Sequence, residues 1–468
     1  MQPFLPTPSQ RARGSVLIVV MIVCIGLVSL TLVFANTMAL AYRGEDNALA
    51  GRQAEAAIEG GARYAVYLFS QVNREGGLPD PNDFQSDTLP VGEATFWFIG
   101  VSSGSASQST SDQPVFGFVD EASKLNLNTA SATVLQGLPG MTSDLAQAVV
   151  TWRSSTSGAA TSGTSTSGTS SSSSSVIRNS TNKYAPFESV EEIALLVSGS
   201  GSQDILYSAD YNANHVLDGA ERTQAASSSM SNAFSTGSAA TPAFDNGLNP
   251  GILEYATVFS REPNTLSDGT TERVDVTKTS GTALSTLLTS DLGTARSNEI
   301  ITKLQASGTV NSVLGFYIHG ALTETEFDSI SPKLTAKSGT YVKGLVNPYT
   351  APAAVLACLP GIGSAKAELL VTTRAQQTTE PASLAWVVSV LGQSDALKAG
   401  PYLTANSYQI SVDVAAVGRN GRGYRRTRFV IDKSTGTARI VYRRNLTPLG
   451  WSLGSDVRQQ LVQQQPTR

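Results

Sequence analysis

The stretch Arg11-Ala-Arg13-Gly14-Ser15-Val-Leu-Ile-Val-Val-Met-Ile-Val23 decides how this chain is built. After Arg13 the sequence has no charged residue until Arg43. A helix of about 20 apolar residues crosses the hydrocarbon core of a bilayer, and residues 15 to about 35 supply that length. Because basic residues are retained on the cytoplasmic side, the two arginines predict a single span with everything after it on the outer side.

A cleavable secretory signal is the alternative interpretation of this segment. Such signals have an apolar region of about 7–15 residues and an exit of the A-x-A type. Ala39-Leu-Ala41 fits such an exit, but the apolar run is longer than a signal needs. Charged residues spaced along the Ala-rich stretch after Arg43 continue the helical pattern. The sequence therefore predicts one long helix over 15–70, with an apolar first half and an amphipathic second half.

The composition is typical of a folded protein outside the cytoplasm. The chain has 468 residues, a formal net charge of −4 and only 15% charged residues, and this length allows two or three domains. Cys24 and Cys358 form no disulfide framework and no CxxC motif. The sequence has no Ser/His/Asp grouping and no nucleotide-binding loop, and its two histidines are too few for a zinc site. We therefore expect a protein that is not an enzyme.

Strand-like segments occur on both sides of a mainly helical region. Residues 94–101 and 114–119 precede it, and residues 408–417, 424–431 and 437–442 follow it. This order predicts an α+β fold, in which a sheet on the first helix is interrupted by a helical insertion. The expected boundaries are 1–14 for a leader, 15–70 for the helix, 71–120 for the first strands, 121–403 for the inserted helical domain, 404–446 for the last strands and 447–468 for a tail that frays after Val457.

Two stretches inside the insertion are almost free of apolar residues large enough to bury. They are the Ser-rich segment 154–175 and the polar segment 223–238. Chains of this composition stay solvated because they cannot offset the entropy of ordering. We expect both to be flexible loops.

An internal repeat also lies inside the insertion. The segment Asn126-Leu-Asn-Thr129-Ala-Ser-Ala-Thr-Val-Leu-Gln-Gly-Leu-Pro-Gly140 recurs 221 positions later as Asn347-Pro-Tyr-Thr350-Ala-Pro-Ala-Ala-Val-Leu-Ala-Cys-Leu-Pro-Gly361. Thr129 and Thr350 are expected as N-caps of the first helix of each copy. Leu-Pro-Gly ends that helix and redirects the chain into a second one. Each copy is therefore predicted to be a helix-hairpin-helix unit.

The repeat leaves two functions open. A Gly-x-Gly hairpin can present backbone amides at a helix N-terminus to a phosphate, and Gly361-Ile-Gly363 followed by Lys366 fits that use. The first copy has Gly140-Met-Thr142 followed by Asp144, whose charge would repel phosphate. The acidic net charge also does not favour DNA. We therefore expect packing or partner docking, and no nucleic acid as a partner.

One loop has the spacing of a calcium site. Side-chain oxygens occur at positions 1, 3, 5, 9 and 12 of a twelve-residue segment and a backbone carbonyl at position 7, as in an EF-hand. His215 stands at position 6, where Gly usually supplies a positive φ. Asx turns, which Asn and Asp form unaided, are the alternative explanation. The predicted calcium ligands are Asp210, Asn212, Asn214, Val216 through its carbonyl, Asp218 and Glu221.

Nine basic residues fall between Arg419 and Arg444, and they include Arg425, Arg426 and Arg428. Basic residues in such a segment are typical of the solvated face and the protected edges of a terminal sheet. A surface for a partner is the alternative. We expect these side chains to face solvent.

The leader, its glycine and the apolar helix resemble the prepilin family, in which a membrane peptidase cuts after the glycine and the new terminus is methylated. The resemblance implies cleavage between Gly14 and Ser15, with Ser15 in place of the usual Phe or Met. The fifth residue after the cut is normally Glu but here is Val19. An unpaired carboxylate in lipid is costly, so its loss suits a subunit with none above it, at the tip of a filament.

The chain is similar to the K-type minor pseudopilins of type II secretion, which are large and lack this Glu. Segments 120–130, 186–193, 255–263 and 346–351 carry the similarity in that order, so it spans nearly the whole chain. It implies a pilin-like fold, calcium sites and a tip complex with I- and J-type minor pseudopilins. The major pseudopilin and the prepilin peptidase are further implied partners, and contact with the secretin or an exoprotein stays open. The implied location is the inner membrane, single-pass, with a cytoplasmic N-terminus and a periplasmic C-terminal region.

Two other classes of protein remain open. A membrane-anchored DNA receptor would use the second hairpin and the basic strands. A minor pilin of a type IV pilus would share the leader but would usually lack the large helical insertion.

Overall fold

The computed structural model describes residues 13–72, 74, 76–100, 114–154, 183–197, 201–219, 221, 223, 251–377 and 383–463. The expected leader up to residue 12 lies outside the described residues. So do the expected flexible loops at 155–175 and 224–238.

A single helix, α1 (Arg13–Gln71), runs from the leader into the soluble part. The side chains of residues 16–44 are exposed. The most apolar 18-residue window has a mean hydropathy of 3.1 and no buried residue, which makes α1 long and apolar enough to cross a membrane. The burial pattern changes at Ala50, after which small residues recur on one buried face. The prediction of one long helix with an apolar first half is confirmed.

Short strands and short helices alternate through the rest of the chain. The strands are β1 (Leu89–Val91), β2 (Ala94–Gly100), β3 (Val115–Phe116), β4 (Val119–Asp120), β5 (Leu125–Asn126), β6 (Ala256–Thr257), β7 (Arg261–Pro263), β8 (Val274–Asp275), β9 (Leu334–Thr335), β10 (Tyr341–Lys343), β11 (Gln409–Gly418), β12 (Arg422–Asp432) and β13 (Arg439–Asn445). The helices are α2 (Ala132–Leu135), α3 (Ser143–Arg153), α4 (Gly201–Tyr207), α5 (Thr282–Leu292), α6 (Thr294–Ser307), α7 (Val313–Gly320), α8 (Glu324–Ile330), α9 (Ala353–Ala357), α10 (Gly363–Ala375), α11 (Ala385–Leu391), α12 (Gln393–Ala399) and α13 (Gly454–Gln463).

The main sheet is antiparallel and takes strands from both ends of the soluble part. Its order is β1-β2-β11-β12-β13, with β3 paired to β2 and β4 paired to β11. Strand β2 pairs with β11 from Thr95 opposite Val417 to Ile99 opposite Asp413. Strands before and after the helical insertion therefore meet in one sheet, as the alternation of the sequence predicts. The fold is a mixture of helices and an antiparallel sheet.

The second half of α1 lies on one face of this sheet. Small residues on α1 allow its backbone to approach the strands closely, because a Cβ added at Gly61 would come within 2.7 Å of Val414. Around this contact both elements bury their apolar side chains. The side chains are Ala54, Ala57, Ile58, Ala62, Ala65 and Phe69 from α1, and Ala94, Phe96, Phe98, Ile410, Val412, Val414, Ala416, Phe429 and Ile431 from the strands.

The closest approach is at the turn between β11 and β12. A Cβ added at Gly418 would overlap the backbone carbonyl of Ala50, and one added at Gly423 would overlap the same peptide. Gly423 also has a φ of +68°, which L residues rarely adopt. The turn can therefore sit on α1 only because these two positions carry no side chain.

The opposite face of the sheet is covered by the inserted region and by the C-terminal helix. Trp97 and Ile99 of β2 pack with Leu453 and with Val457 of α13. The expectation that the chain frays after Val457 is wrong, because α13 is helical to Gln463. Burial of Val457 against the sheet holds the first half of this helix in place. The polar Gln cluster that follows does not by itself predict a helix.

The described part of the inserted region contains two apolar clusters. The larger one joins both predicted hairpins to α11 and α12, and the smaller one is formed mainly by α5 to α8. The hairpins thus lie within the larger cluster of the insertion.

The contact at Gly418 can be tested with one methyl group. We expect Gly418→Ala to lower the free energy of unfolding by about 1–3 kcal/mol, the usual cost of overpacking. Its φ of −80° suits alanine, so the cost arises from the overlap with Ala50 alone. Gly44→Ala is the control, because nothing lies within 4 Å of that position in α1. Thermal unfolding of the full chain in detergent measures both, and an equal effect of the two substitutions would contradict the close approach.

Candidate functional site

The predicted calcium loop closes on itself. The Asp210 carboxylate accepts hydrogen bonds from the backbone amides of Asn214 (3.1 Å) and His215 (2.9 Å). The Glu221 carboxylate accepts from the amides of Asn212 (3.1 Å) and Asp218 (3.0 Å). The first and last predicted ligands therefore both turn toward the loop. The intervening predicted ligands, Asn212, Asn214, Val216 and Asp218, lie in the same closed segment.

His215 adopts the backbone conformation that its position in the loop requires. Its φ is +68°, where an EF-hand has glycine. The cost of this conformation for a non-glycine residue is offset by tertiary contacts, since the buried imidazole Nδ1 contacts the Glu254 carboxylate. Gly219, Glu221 and Thr223 are helical, so Glu221 lies at the start of a helical turn.

The loop concentrates negative charge in a buried place. Asp210 and Glu221 are 4% and 5% exposed. Burial raises the pKa of Asp210 to about 8, and the Glu221 charge adds to this shift. Burial likewise raises the pKa of Glu221 to about 7. Two carboxylates that resist ionisation next to each other would be stabilised in their charged form by a cation.

An orphaned oxygen supports the same conclusion. Asn212 Oδ1 is buried and has no hydrogen-bond partner among the residues that the structure describes, whereas buried polar atoms are normally paired. Carboxylates, Asn side chains and a backbone carbonyl are the hard oxygen donors that Ca²⁺ takes. The residues of the loop therefore fit a calcium ion.

No group of three or more His, Cys, Asp or Glu side chains is arranged to hold a metal among the residues that the structure describes. A calcium loop depends equally on Asn and backbone oxygens, so this finding decides nothing for the loop at 210–221.

Arg426 of β12 connects the loop to the main sheet. Its guanidinium donates to the backbone carbonyls of Asn212 and Ala213 and to the Asp413 carboxylate of β11, the last at 2.6 Å. Arg428 donates to the same carboxylate at 2.5 and 2.9 Å. The expectation that these basic side chains face solvent is wrong for Arg426, which is fully buried, and for Arg428, whose side chain is 13% exposed.

The burial of Arg426 follows from its position in the strand. Arg426, Arg428 and Val430 alternate onto the face of β12 that the inserted region covers, away from α1. The sequence signal that points to them is Asp413, a lone acid in a strand that is otherwise apolar or uncharged. Burial alone would raise the pKa of Asp413, but Arg428 and Arg426 hold it below its ordinary value. A buried carboxylate requires such partners.

The two hairpins form as predicted, but their helices begin later than expected. Asn126 and Asn347 each start a turn that includes Thr129 or Thr350, since each Asn side chain accepts the amide two residues on. The N-caps are therefore Ser131, which accepts from Val134, and Pro352. The prediction of Thr129 and Thr350 as N-caps is wrong.

Equivalent arginines make the same hydrogen bonds within each copy of the hairpin. Arg153 at the end of α3 donates to the carbonyls of Leu127 and Ala130. Arg374 at the end of α10 donates to Pro348, at 3.0 Å, and to Ala351, which are the counterparts 221 positions later. Each arginine thus satisfies carbonyls of the turn that precedes the first helix of its own hairpin, which leaves its charge facing inward.

The copies also pack against each other at equivalent positions. A Cβ added at Gly137 would come within 2.8 Å of Cys358 Sγ, and these residues occupy the same place in the repeat. Contact between equivalent positions is a property of a two-fold relation. The two hairpins therefore form a pseudo-symmetric pair inside one chain.

Two of the three features of the second hairpin that fit phosphate binding are engaged within the protein. Lys366 Nζ donates to the carbonyl of Leu391 at 3.0 Å and pairs with the Asp395 carboxylate. A Cβ at Gly361 would lie 2.6 Å from the Asp395 carbonyl oxygen, so α12 covers this glycine. Gly363, at the start of α10, is exposed and has nothing within 4 Å of its Cβ position. The lysine and the first glycine of the turn are therefore engaged by the protein itself, whereas the second glycine is open.

The predicted cleavage site lies at the start of α1. The backbone of Gly14 and Ser15 is helical. Val19 follows in the same helix and is 58% exposed, in a segment without charge.

One comparison with known proteins gives a match. Residues 120–160 match the family described as the helix-hairpin-helix motif, which covers the first hairpin. No curated protein matches the chain at a significant level. The match agrees with the helix-hairpin-helix prediction for the first copy.

The fit of the loop to a cation predicts calcium-dependent stability. Calcium at 100 times its dissociation constant should raise the free energy of unfolding by about 2.7 kcal/mol, visible as a higher Tm. Asp210→Asn should abolish this rise because it removes a charged ligand. Asp268→Asn is the matched control, since Asp268 caps an exposed loop in the same manner. An equal Tm of the unsubstituted chain in calcium and in chelator would refute the site.

Proposed function

We propose that this protein is a minor pseudopilin at the tip of the type II secretion pseudopilus. There it would start assembly with other minor pseudopilins for protein export across the outer membrane. The observation that carries the proposal is the architecture of α1 and the sheet. An exposed apolar half is followed by a half that lies on an antiparallel sheet, and a helical region is inserted between two sets of strands. Such a subunit combines an anchor, a pilin-like body and additional surface for partners.

The exposure of the first half of α1 supports a role in a membrane and a filament. Contiguous apolar surface of this extent is not stable in water. Lipid can cover it before assembly, and the helices of neighbouring subunits can cover it afterwards. In this proposal the prepilin peptidase cuts before Ser15, and α1 moves from the inner membrane into the filament core.

Val19 supports a position at the tip. It stands where a repeating subunit has Glu, and its exposed side chain offers no charge to the terminal amine of another subunit. A subunit placed below others would gain from a carboxylate at this point, whereas the last subunit would only bear the cost of burying it in lipid. The tip is the position where Val is the better residue.

Calcium belongs to the same proposal. A bound ion at Asp210 and Glu221 would neutralise the buried carboxylates and hold the loop against Arg426 and the sheet. We expect a structural role, because the loop is buried and its terminal carboxylates accept hydrogen bonds from its own backbone amides.

A membrane-anchored DNA receptor is the second candidate, favoured by the match of residues 120–160 to the helix-hairpin-helix family. Three features weigh against it. Lys366 is paired with Asp395, Gly361 of the second hairpin turn is covered by α12, and Arg153 and Arg374 point inward. A type IV minor pilin is disfavoured by the size of the insertion.

Capture of partners tests the proposal directly. The full chain, produced with I- and J-type minor pseudopilins and prepilin peptidase, should retain both partners after detergent extraction in calcium. Immunolabelling should place it at one end of the pseudopilus. Val19→Glu should spread the label along the shaft, whereas Val19→Leu, the apolar control, should not.

Two outcomes would contradict the assignment. One is regular labelling of the unsubstituted chain along the shaft. The other is a lack of both partners combined with salt-sensitive DNA binding that is lost in Lys366→Gln, which would favour the receptor.

A further inference from the structure

The turn between β11 and β12 lies beside α1, one helical turn beyond its uncharged segment. Arg422 Nη1 pairs with the Asp46 carboxylate at 2.6 Å, and Arg419 lies 3.9 Å from the same carboxylate. Asp46 follows Tyr42 by four residues, which is about 6 Å along a helix. Tyr42 ends the uncharged segment, and Tyr is enriched at the surface of bilayers. With Tyr42 at that surface, both arginines reach the headgroup layer.

The end of α13 lies at the same level. Leu461 packs on the turn, since a Cβ added at Gly421 would lie 3.1 Å from its Cβ. The next residue, Val462, is 60% exposed, and Arg458 is exposed one turn earlier. This end of the helix therefore brings an apolar side chain and a further cation close to the turn.

These elements define one surface, which we call the basal surface. It consists of Arg43, Arg419, Arg422, Arg458 and Val462. Arg43 belongs to it because it lies three residues before Asp46, on the same side of α1. The same segments, 43–46, 418–423 and 454–463, also carry Glu45, Asp46 and Asp456, so their net charge is +1 in a chain whose net charge is −4.

The arginines keep hydrogen-bonding capacity for a ligand. Arg419 and Arg422 share the single carboxylate of Asp46, although each guanidinium has five N–H donors. Their side chains are 41% and 28% exposed. Guanidinium groups with free donors bind phosphate oxygens in pairs.

We propose that the basal surface binds the headgroups of anionic phospholipids in the leaflet from which α1 emerges. The proposal rests on α1 as a membrane span and not on the function proposed above. Clustered basic residues next to a span are attracted to anionic lipid, and an exposed apolar residue such as Val462 adds affinity at the interface. The contact sets the height of the soluble part above the bilayer and the rotation of α1 within it.

Hydrogen exchange in nanodiscs tests the proposal with the full chain. Amides in 418–423 and 455–463 should exchange roughly fivefold more slowly in discs that contain phosphatidylglycerol than in discs of phosphatidylcholine. This factor corresponds to one favourable charge contact with an anionic surface. High salt should remove the difference because it screens the surface charge.

Paired substitutions separate lipid binding from general charge effects. Arg419→Gln with Arg458→Gln should abolish the lipid-dependent protection and leaves Arg422 to hold the turn on Asp46. Arg439→Gln with Lys343→Gln removes the same charge elsewhere and should have no effect. Arg439 of β13 lies opposite Asp432 of β12 in the strand register. Asp432 is ten residues from Arg422 along β12, or about 33 Å.

Two results would overturn the proposal. One is equal protection in both kinds of disc at low salt. The other is protection of these segments that arises only when a partner protein is added, because the surface would then belong to a protein interface.

Discussion

The fold depends on a backbone contact between two segments far apart in the sequence. The peptide of Ala50 in α1 touches the turn of β11 and β12 at Gly418 and Gly423, where no side chain fits. Helix α1 and the last strands of the chain must therefore meet before the sheet has a core. The whole insertion lies between them in the sequence. The core is therefore complete only when β11, which follows the insertion, pairs with β2, which precedes it. Contacts of such long separation delay folding, and the insertion therefore has to fold with its ends close together.

A second constraint ties the insertion to the sheet. Arg426 has no exposed surface, and Asp413 is 2% exposed. Loss of one partner from a buried ion pair typically costs 3–5 kcal/mol because the other charge stays uncompensated. Here the same guanidinium also satisfies carbonyls of the loop at Asp210. Through Arg426 the backbone of the candidate calcium loop is held directly against β11 and β12.

The parts of this fold that local patterns encode were predictable from the sequence. Uncharged length predicts α1, alternation predicts β11 to β13, and the repeat predicts both hairpins. What could not be predicted depends on partners distant in the chain. The sequence alone predicts a surface position for Arg426, because its partners, Asp413 and the loop, are distant in the chain. It likewise predicts a frayed tail in place of α13, because the packing of Val457 on the sheet depends on residues far away in the sequence. In the candidate site, spacing predicts which residues belong to the loop, whereas their burial and the contact of His215 with Glu254 arise only from tertiary packing.

The hairpin pair shows why a motif and a function must be argued separately. A helix-hairpin-helix unit that binds a nucleic acid needs cations and amides directed to solvent. In this chain Arg153 and Arg374 are directed to the turns of their own hairpins, and Lys366 is paired with Asp395. The contact of Gly137 with Cys358 joins the copies into one unit. The repeat thus gives two halves that cover each other. The groups proposed to bind a ligand lie elsewhere, in the buried loop at 210–221 and beside the middle of α1, where its uncharged segment ends.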